Sequence, residues 1–285
     1  MLTLRKSKVV VLLVVALLVI VAAVGCGKAE EKSTTGNDGG GKLQGTVKVA
    51  GSTSVQPLAE ELADAFMDKN PDVNVSVQGG GSSAGVESAK TGTAQIGTSS
   101  RELKAEEKGY GLTETIIAKD GIAVVVNNNN TVEGLTVDQV KKIFTGEIKD
   151  WSEVGGKKGA ITVVVREEGS GTRGAFEELV LGKGTKFVAN AVVQNSTGAV
   201  KTAVAKDPNG IGFMSSGSVD KDLKAVKVDG VAPSESTVLD GSYKISRPFL
   251  FLTKGTPDPA VKAFIDFVLS DEGQKIVSEK FVKVK

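Results

Sequence analysis

From Thr46 onward apolar and polar positions fall into short alternating blocks. Val47–Ala50 is an apolar run of strand length, and Gly51-Ser52-Thr53-Ser54 turns the chain. Leu58, Leu62, Ala65 and Phe66 then recur at i, i+4, i+7 and i+8, the spacing of one helix face. Ser54 is the candidate N-cap, Pro57 suits the first turn, where its missing N–H is not needed, and Pro71 closes the unit. A strand is predicted at Val73–Gln78, then the loop Gly79–Gly85, a short helix, and a strand Gln95–Thr98 running into Ser99-Ser100-Arg101. Such strand–helix alternation predicts a parallel α/β sheet with its sites at the carboxyl ends of the strands.

The next apolar strand, Ile122–Val126, is followed by the polar run Asn127–Asn130. Beyond it come a helix around Val137–Phe144, ended by Thr145-Gly146, a strand Ile161–Val165, the loop Arg166–Arg173 and a helix from Gly174. Ile211–Met214 and Phe249–Thr253 are further strands, and Pro259–Leu269 and Gly273–Phe281 are closing helices. We expect two α/β lobes, one built from residues 46–121 and 247–285 and the other from 122–246. The chain would cross between them near Gly121–Ile122 and Ser246–Arg247. No repeat of fixed period is present. The lone Trp151 is expected in packing, and the basic stretch Lys275–Lys285 as the solvated face of the last helix.

The N-terminus has a different pattern. Arg5, Lys6 and Lys8 precede an unbroken apolar run from Val9 to Val24, somewhat short of the roughly 20 residues a spanning helix needs. The run ends at Ala23-Val24-Gly25-Cys26, which resembles a bacterial lipobox with Ala23 where Leu is usual. Residues 1–25 are therefore expected to be a lipoprotein signal peptide and Cys26 the acylated new N-terminus; an uncleaved membrane anchor is the alternative. Residues 26–45, rich in Gly, Lys, Glu, Ser and Thr, are expected to be a flexible tether. Either way the fold would lie on the extracytoplasmic face of the cell membrane.

Composition mostly excludes. Among 285 residues there are 35 Lys and Arg, 34 Asp and Glu, one Cys and no His. No Ser-His-Asp or Cys-His system can be built, no imidazole can ligate zinc or haem, and no internal disulfide can form. Removing residues 1–25 takes three positive charges and no negative ones, moving the net charge from +1 to −2. That balance argues against a nucleic-acid partner, which needs a broad basic face.

Three loops carry the chemistry: Gly51–Ser54, Gly80–Gly85, and Gly169-Ser170-Gly171-Thr172-Arg173. Each lies between a predicted strand and a predicted helix. Each offers main-chain N–H groups, hydroxyl donors and the positive end of a helix dipole, which is equipment for holding an oxyanion without a metal or other cofactor. Arg166 and Arg173 flank the third and can add a charged, bidentate contact. Singly, each loop is also an ordinary capped turn; three in one chain favour a shared anion site. Gly81-Ser82-Ser83-Ala84-Gly85 matches a nucleophile elbow, but Ser83 has no histidine base. Gly79–Ala84 with Glu102 mimics a dinucleotide fingerprint, a weak motif for an exported chain. Ser218–Lys221 and Lys90–Gly92 imitate penicillin-recognising motifs in the wrong order, and no phosphate-binding G-x-x-x-x-G-K-[ST] stretch exists.

Gly51–Pro57, Gly81–Gly85, Gly97–Arg101 and Arg166–Arg173 resemble, in order, the ligand loops of the phosphate-binding protein (PstS class) of the bacterial ABC phosphate importer. Ile211–Phe213 and Arg247–Phe249 extend the likeness over nearly the whole mature chain. The resemblance implies a two-lobed type II periplasmic-binding-protein fold with a hinge between lobes. Thr53, Ser54 and Ser82 would donate to the anion from one lobe, and Arg166, Ser170, Gly171 and Thr172 from the other. Some family members carry Asp at the position of Ser100; that carboxylate takes the proton of hydrogen phosphate and repels sulfate. Ser100 would contact the anion without that charge, Arg101 beside it could add a second cation, and Glu168 or Glu102 could replace the acceptor. The function implied is a lipid-anchored receptor that delivers inorganic phosphate to an ABC permease and ATPase complex, with no catalysis. Receptors for sulfate or molybdate, and an exported phosphoryl-transfer enzyme, are the alternatives.

Overall fold

The computed structural model describes residues 42–182 and 184–284. The expected signal peptide, Cys26 and most of the expected tether lie outside the described residues. The first half of the chain contributes β1 (Gly45–Gly51), α1 (Gln56–Lys69), β2 (Val73–Gly79), α2 (Ser82–Thr91), β3 (Ile96–Ser99) and β4 (Leu112–Asn127). There follow β5 (Gly134–Leu135), α3 (Val137–Thr145), β6 (Thr162–Arg166), α4 (Gly171–Phe176), β7 (Val192–Gln194) and α5 (Thr197–Lys206). The last part supplies β8 (Gly210–Ser215), β9 (Leu223–Ala225), β10 (Lys227–Val228), α6 (Glu235–Leu239), β11 (Ser246–Lys254), α7 (Pro259–Val268) and α8 (Asp271–Val277).

The main sheet runs β2-β1-β3-β11-β4-β8-β6-β7, with β9 also on β4. β1 is parallel to β2 and β3, and β6 is parallel to β7 and β8. The sequence pattern predicts a parallel sheet, and the structure corrects this. β11 is antiparallel to β3 and β4, and β4 is antiparallel to β8 and β9. β4 is 16 residues long. Its residues 112–121 pair with β11, whereas residues 122–127 pair with β8 and β9, so one strand serves both halves of the sheet. Periodicity identified only Ile122–Val126, because residues 112–116 are largely exposed and polar.

Helices cover both faces of each half. Around β1, β3 and β11, Val47, Val49, Ile96, Phe249 and Phe251 pack on Leu58, Leu62 and Phe66 of α1 and Phe264 of α7. Leu250 and Leu252, pointing the other way along β11, meet Val86 and Ala89 of α2. In the other half Val124 and Val126 join Phe144, Phe176 and Phe213, while Ala123 and Val125 meet Val200 and Val204 of α5. Burial on both faces is why this part of β4 is apolar at every position. Phe176, the last residue of α4, stacks on Phe213 of β8 with ring centroids 4.1 Å apart.

Several local expectations shift. α1 begins at Gln56 with Val55 at its N-cap position, so Ser54 is not the cap; the turn before the helix is closed on the Ser52 carbonyl. α4 starts at Gly171, not Gly174, because Ser170 caps it by accepting the N–H of Arg173. α8 ends at Val277, and Phe281 and Val282 turn into the core, with Val282 bridging to Lys119, so Lys275–Lys285 is not one solvated helix face. Trp151 is buried and donates to the Asn209 carbonyl, a packing role as expected. Among the described residues no helix is long and apolar enough to cross a membrane.

Candidate functional site

The ends of β1, β3 and β6 and the starts of α2 and α4 converge on one buried polar cluster. Glycine makes the convergence possible. A Cβ on Gly51 (φ +142°) would lie 2.3 Å from the Thr98 carbonyl and 2.8 Å from the Gly85 Cα, so the first two loops and β3 touch backbone to backbone. The N–H groups of Gly80 and Gly81 both close on the Gly51 carbonyl. From the other half, the Gly169 carbonyl accepts the N–H of Ser83 at 3.1 Å. A Cβ on Gly171 would sit 2.2 Å from Ser82 Oγ and 2.7 Å from Ser100 Oγ. The third loop is therefore seated directly on the second.

All eight expected anion contacts lie in or beside this cluster. Ser54 Oγ is 2.8 Å from Thr172 Oγ1 and 3.0 Å from Thr197 Oγ1, and Thr53 Oγ1 accepts the Thr197 N–H at 3.2 Å. Ser82 Oγ accepts the Ser100 N–H at 3.0 Å, and Ser52 Oγ donates to Ser100 Oγ at 2.8 Å. Arg166 Nη1 donates to Thr197 Oγ1 at 3.3 Å, while its Nε and Nη2 are held by Glu167 at 2.8 Å each. Ser170 is buried as the cap of α4. Ser54, Ser82, Ser100, Arg166, Ser170 and Thr172 are all at most 2% exposed.

These bonds have a chemical direction. Main-chain and guanidinium N–H groups only donate, so each hydroxyl that accepts one has its proton free for another acceptor. Thr53, Ser82, Thr172 and Thr197 each accept such a bond, and Ser100 Oγ accepts from Ser52. The cluster thus presents an array of O–H donors beside Nη1 of Arg166, the arm that Glu167 does not hold, a set that complements a compact oxyanion stripped of water.

Three subsidiary expectations are corrected. Arg101 is not a second cation for the cluster: both arms of its guanidinium are tied to Glu107 at 2.6 and 2.7 Å, which matches its charge. Glu168 and Glu102 are exposed, so neither provides a buried acceptor near Ser100. The buried carboxylate near Ser100 is instead Asp120, whose oxygens take Nε and Nη2 of Arg247 at 3.2 and 2.8 Å and the hydroxyls of Ser215 and Ser216 at 2.9 and 3.2 Å. Burial pushes the Asp120 carboxyl up and the Arg247 guanidinium down, each opposed by the charge of the other. Burial, reinforced by the Asp120 charge, also raises the Tyr243 phenol, which donates to the Ile122 carbonyl.

Ser52, Thr197, Asp120 and Arg247 were not among the expected site residues. Thr197 opens a helix that the apolar pattern does not mark, and Ser52 lies inside the first of the three loops, where its residue type does not set it apart from Thr53 and Ser54. Among the described residues no group of three or more Cys, His, Asp or Glu could hold a metal ion. Ser83 Oγ faces the Arg101 guanidinium at 3.3 Å, a donor and not a base, so the nucleophile-elbow reading has no structural partner.

Comparison with known proteins places the chain among relatives. The family model described as a PBP superfamily domain matches residues 36–272. Phosphate-binding protein PstS of Bacillus subtilis (strain 168) is 36% identical over 260 residues, covering 88% of this chain and 85% of its own. A phosphate ABC transporter substrate-binding protein from Clostridium perfringens, solved with bound phosphate, is 46% identical, with a TM-score of 0.83 over 85% of this chain and 100% of its own. An ABC-type phosphate transport receptor from Vibrio cholerae is 37% identical, with a TM-score of 0.70 over 84% of this chain and 100% of its own.

Proposed function

The chain belongs to the PBP superfamily and, within it, to the phosphate-binding PstS proteins, and on that footing we propose that it is an extracytoplasmic receptor for inorganic phosphate that serves an ABC permease and ATPase complex. It is a solute receptor of two-lobed type II fold and not an enzyme. The observation that carries the reading is the shared cluster. Hydroxyl and main-chain donors from the ends of β1 and β3 and the start of α2 meet Gly171, Thr172 and Thr197 from the opposite half of the sheet, and Thr197 in turn takes a bond from Arg166.

In this proposal Thr53, Ser54, Ser82 and Ser100 bond the anion from lobe 1, residues 46–121 and 247–285. Arg166, Ser170, Gly171 and Thr172 bond it from lobe 2, residues 122–246. Neither set alone surrounds a tetrahedral ion, so ligand favours the closed form because only there do both sets reach it. The change of partner along β4 between Gly121 and Ile122 supports a pivot at that point. We further propose that Cys26 carries the lipid that anchors the receptor to the membrane; Cys26→Ser is expected to move the protein from the membrane fraction to the soluble one.

A second reading, a receptor for another oxyanion such as sulfate, is favoured by one observation. Ser100 is uncharged, and the nearby Asp120 is saturated by Arg247 and two serines. Calorimetric titration of ligand-stripped protein separates the two. One phosphate bound per chain, more tightly than sulfate, is the expected result; tighter sulfate binding refutes the phosphate assignment.

A further inference from the structure

Arg247 stands directly opposite Asp120 in the β11–β4 register, one residue from the point where β4 leaves β11 for β8. Both side chains are almost fully buried, at 5% and 1% exposure for the whole residues. Nε and Nη2 of Arg247 are spent on Asp120 Oδ2, and the hydroxyls of Ser215 and Ser216 hold Oδ1. The carboxylate is therefore an orienting group with no role left as a ligand acceptor. It fixes the plane of the guanidinium and leaves Nη1 aimed into the hydroxyl cluster. There Nη1 makes two bonds that join the halves of the site: 2.9 Å to the Ser100 carbonyl and 2.8 Å to Thr172 Oγ1.

We propose that Arg247, oriented by Asp120, is a positioning residue for the oxyanion, acting through the Thr172 hydroxyl. The inference rests on the receptor reading above. Threonine can give or take a hydrogen bond, whereas arginine can only give one. Once Thr172 Oγ1 accepts from Arg247, its own proton is directed away from Arg247, towards Ser54 Oγ at 2.8 Å or a ligand oxygen in its place. Arg247 thus makes Thr172 a donor in the closed form, while the Asp120 charge cancels its own. The anion gains an oriented hydroxyl without a second net cation in the pocket.

The test is a double-mutant cycle on phosphate affinity, with the buried pair replaced as a unit so that no charge is left uncompensated: Arg247→Met with Asp120→Asn, in the parent chain and in Thr172→Val. Calorimetry reads the dissociation constant, and urea unfolding confirms that each protein folds. If Arg247 acts through Thr172, removing the pair weakens phosphate binding by about tenfold or more in the parent and by less than about twofold in Thr172→Val. Equal losses in both backgrounds, or none in either, overturn the inference and reduce the pair to a structural role. Should the paired replacement fail to fold, Arg247→Lys keeps the charge but not the fork, and the same comparison applies: a loss confined to the Thr172 background supports the inference and equal losses overturn it. An unmodified protein that binds no phosphate refutes the receptor reading itself, which distinguishes the two failures.

Discussion

Replacing Gly171 by alanine probes closure with a single methyl group. The added Cβ would meet Ser82 Oγ at 2.2 Å, Ser100 Oγ at 2.7 Å and Ser82 Cβ at 3.0 Å, all closer than ordinary contact. Rotating the Ser82 hydroxyl relieves the first contact but not the third, so the third loop must draw back from the second by a few tenths of an ångström or more. Overpacking of this kind costs about 1–3 kcal/mol, which corresponds to a loss of phosphate affinity of about five- to 150-fold. The clash exists only where the two halves meet. A form with the halves apart is spared it, and alanine favours the start of α4 by up to about 1 kcal/mol relative to glycine. We therefore expect the ligand-free variant to unfold at the same or slightly higher urea concentration than the parent while calorimetry shows weakened binding. Unchanged affinity would refute the seating of the third loop on the second. Weakened affinity with an equal loss of ligand-free stability would refute the link to closure.

Further expectations concern charge. Arg166→Ala removes the buried cation that faces Thr197 and the hydroxyls, and loss of one partner of a buried charge pair costs roughly 3–5 kcal/mol; binding well over tenfold weaker by calorimetry is expected, and unchanged affinity would remove Arg166 from the site. Ser100→Asp places a carboxylate among donors, which should reduce sulfate binding relative to phosphate by tenfold or more; equal effects on both ligands would show that Ser100 does not face the anion. Burial pushes the Glu107 carboxyl up, but the hydrogen bond and charge of Arg101 and the Lys104 N–H outweigh it and hold the group below its ordinary value of 4.5. A carboxyl depressed in the folded state lends stability that is present above that ordinary value and lost as pH falls through the lower folded one. Glu107→Gln should therefore lower the urea midpoint near neutral pH, and the gap from the parent should close as the pH drops below 4.5; a gap that does not change with pH would contradict the pairing.

Much of the architecture was legible because it is local. The i, i+4, i+7, i+8 spacing from Leu58 marks α1, and the glycine-and-hydroxyl loops mark where strands hand over to helices. What pattern alone missed is non-local. Residues 112–116 of β4 are mostly exposed and carry no strand-like apolar run, although β11 pairs with them. The cap positions slipped by one to three residues because the choice depends on which side chain closes the turn, as Ser170 shows by taking the Arg173 N–H. In the site, the residues in strand-to-helix loops were identifiable one loop at a time. Thr197 and Arg247 were not, because only the folded chain brings them to Ser54 and Thr172 across 143 and 75 residues of sequence. The charge of Arg101 was visible, but its commitment to Glu107 was not.

The central claim is that one oxyanion is gripped from both halves at once. A crystal structure of the protein grown with phosphate tests it most directly. We expect a single anion within hydrogen-bond distance of Arg166, Thr172 and the N–H of Gly171 on one side, and of Ser54 and Ser82 on the other. Phosphate held by groups from one half alone, or bound away from this cluster, would contradict the account.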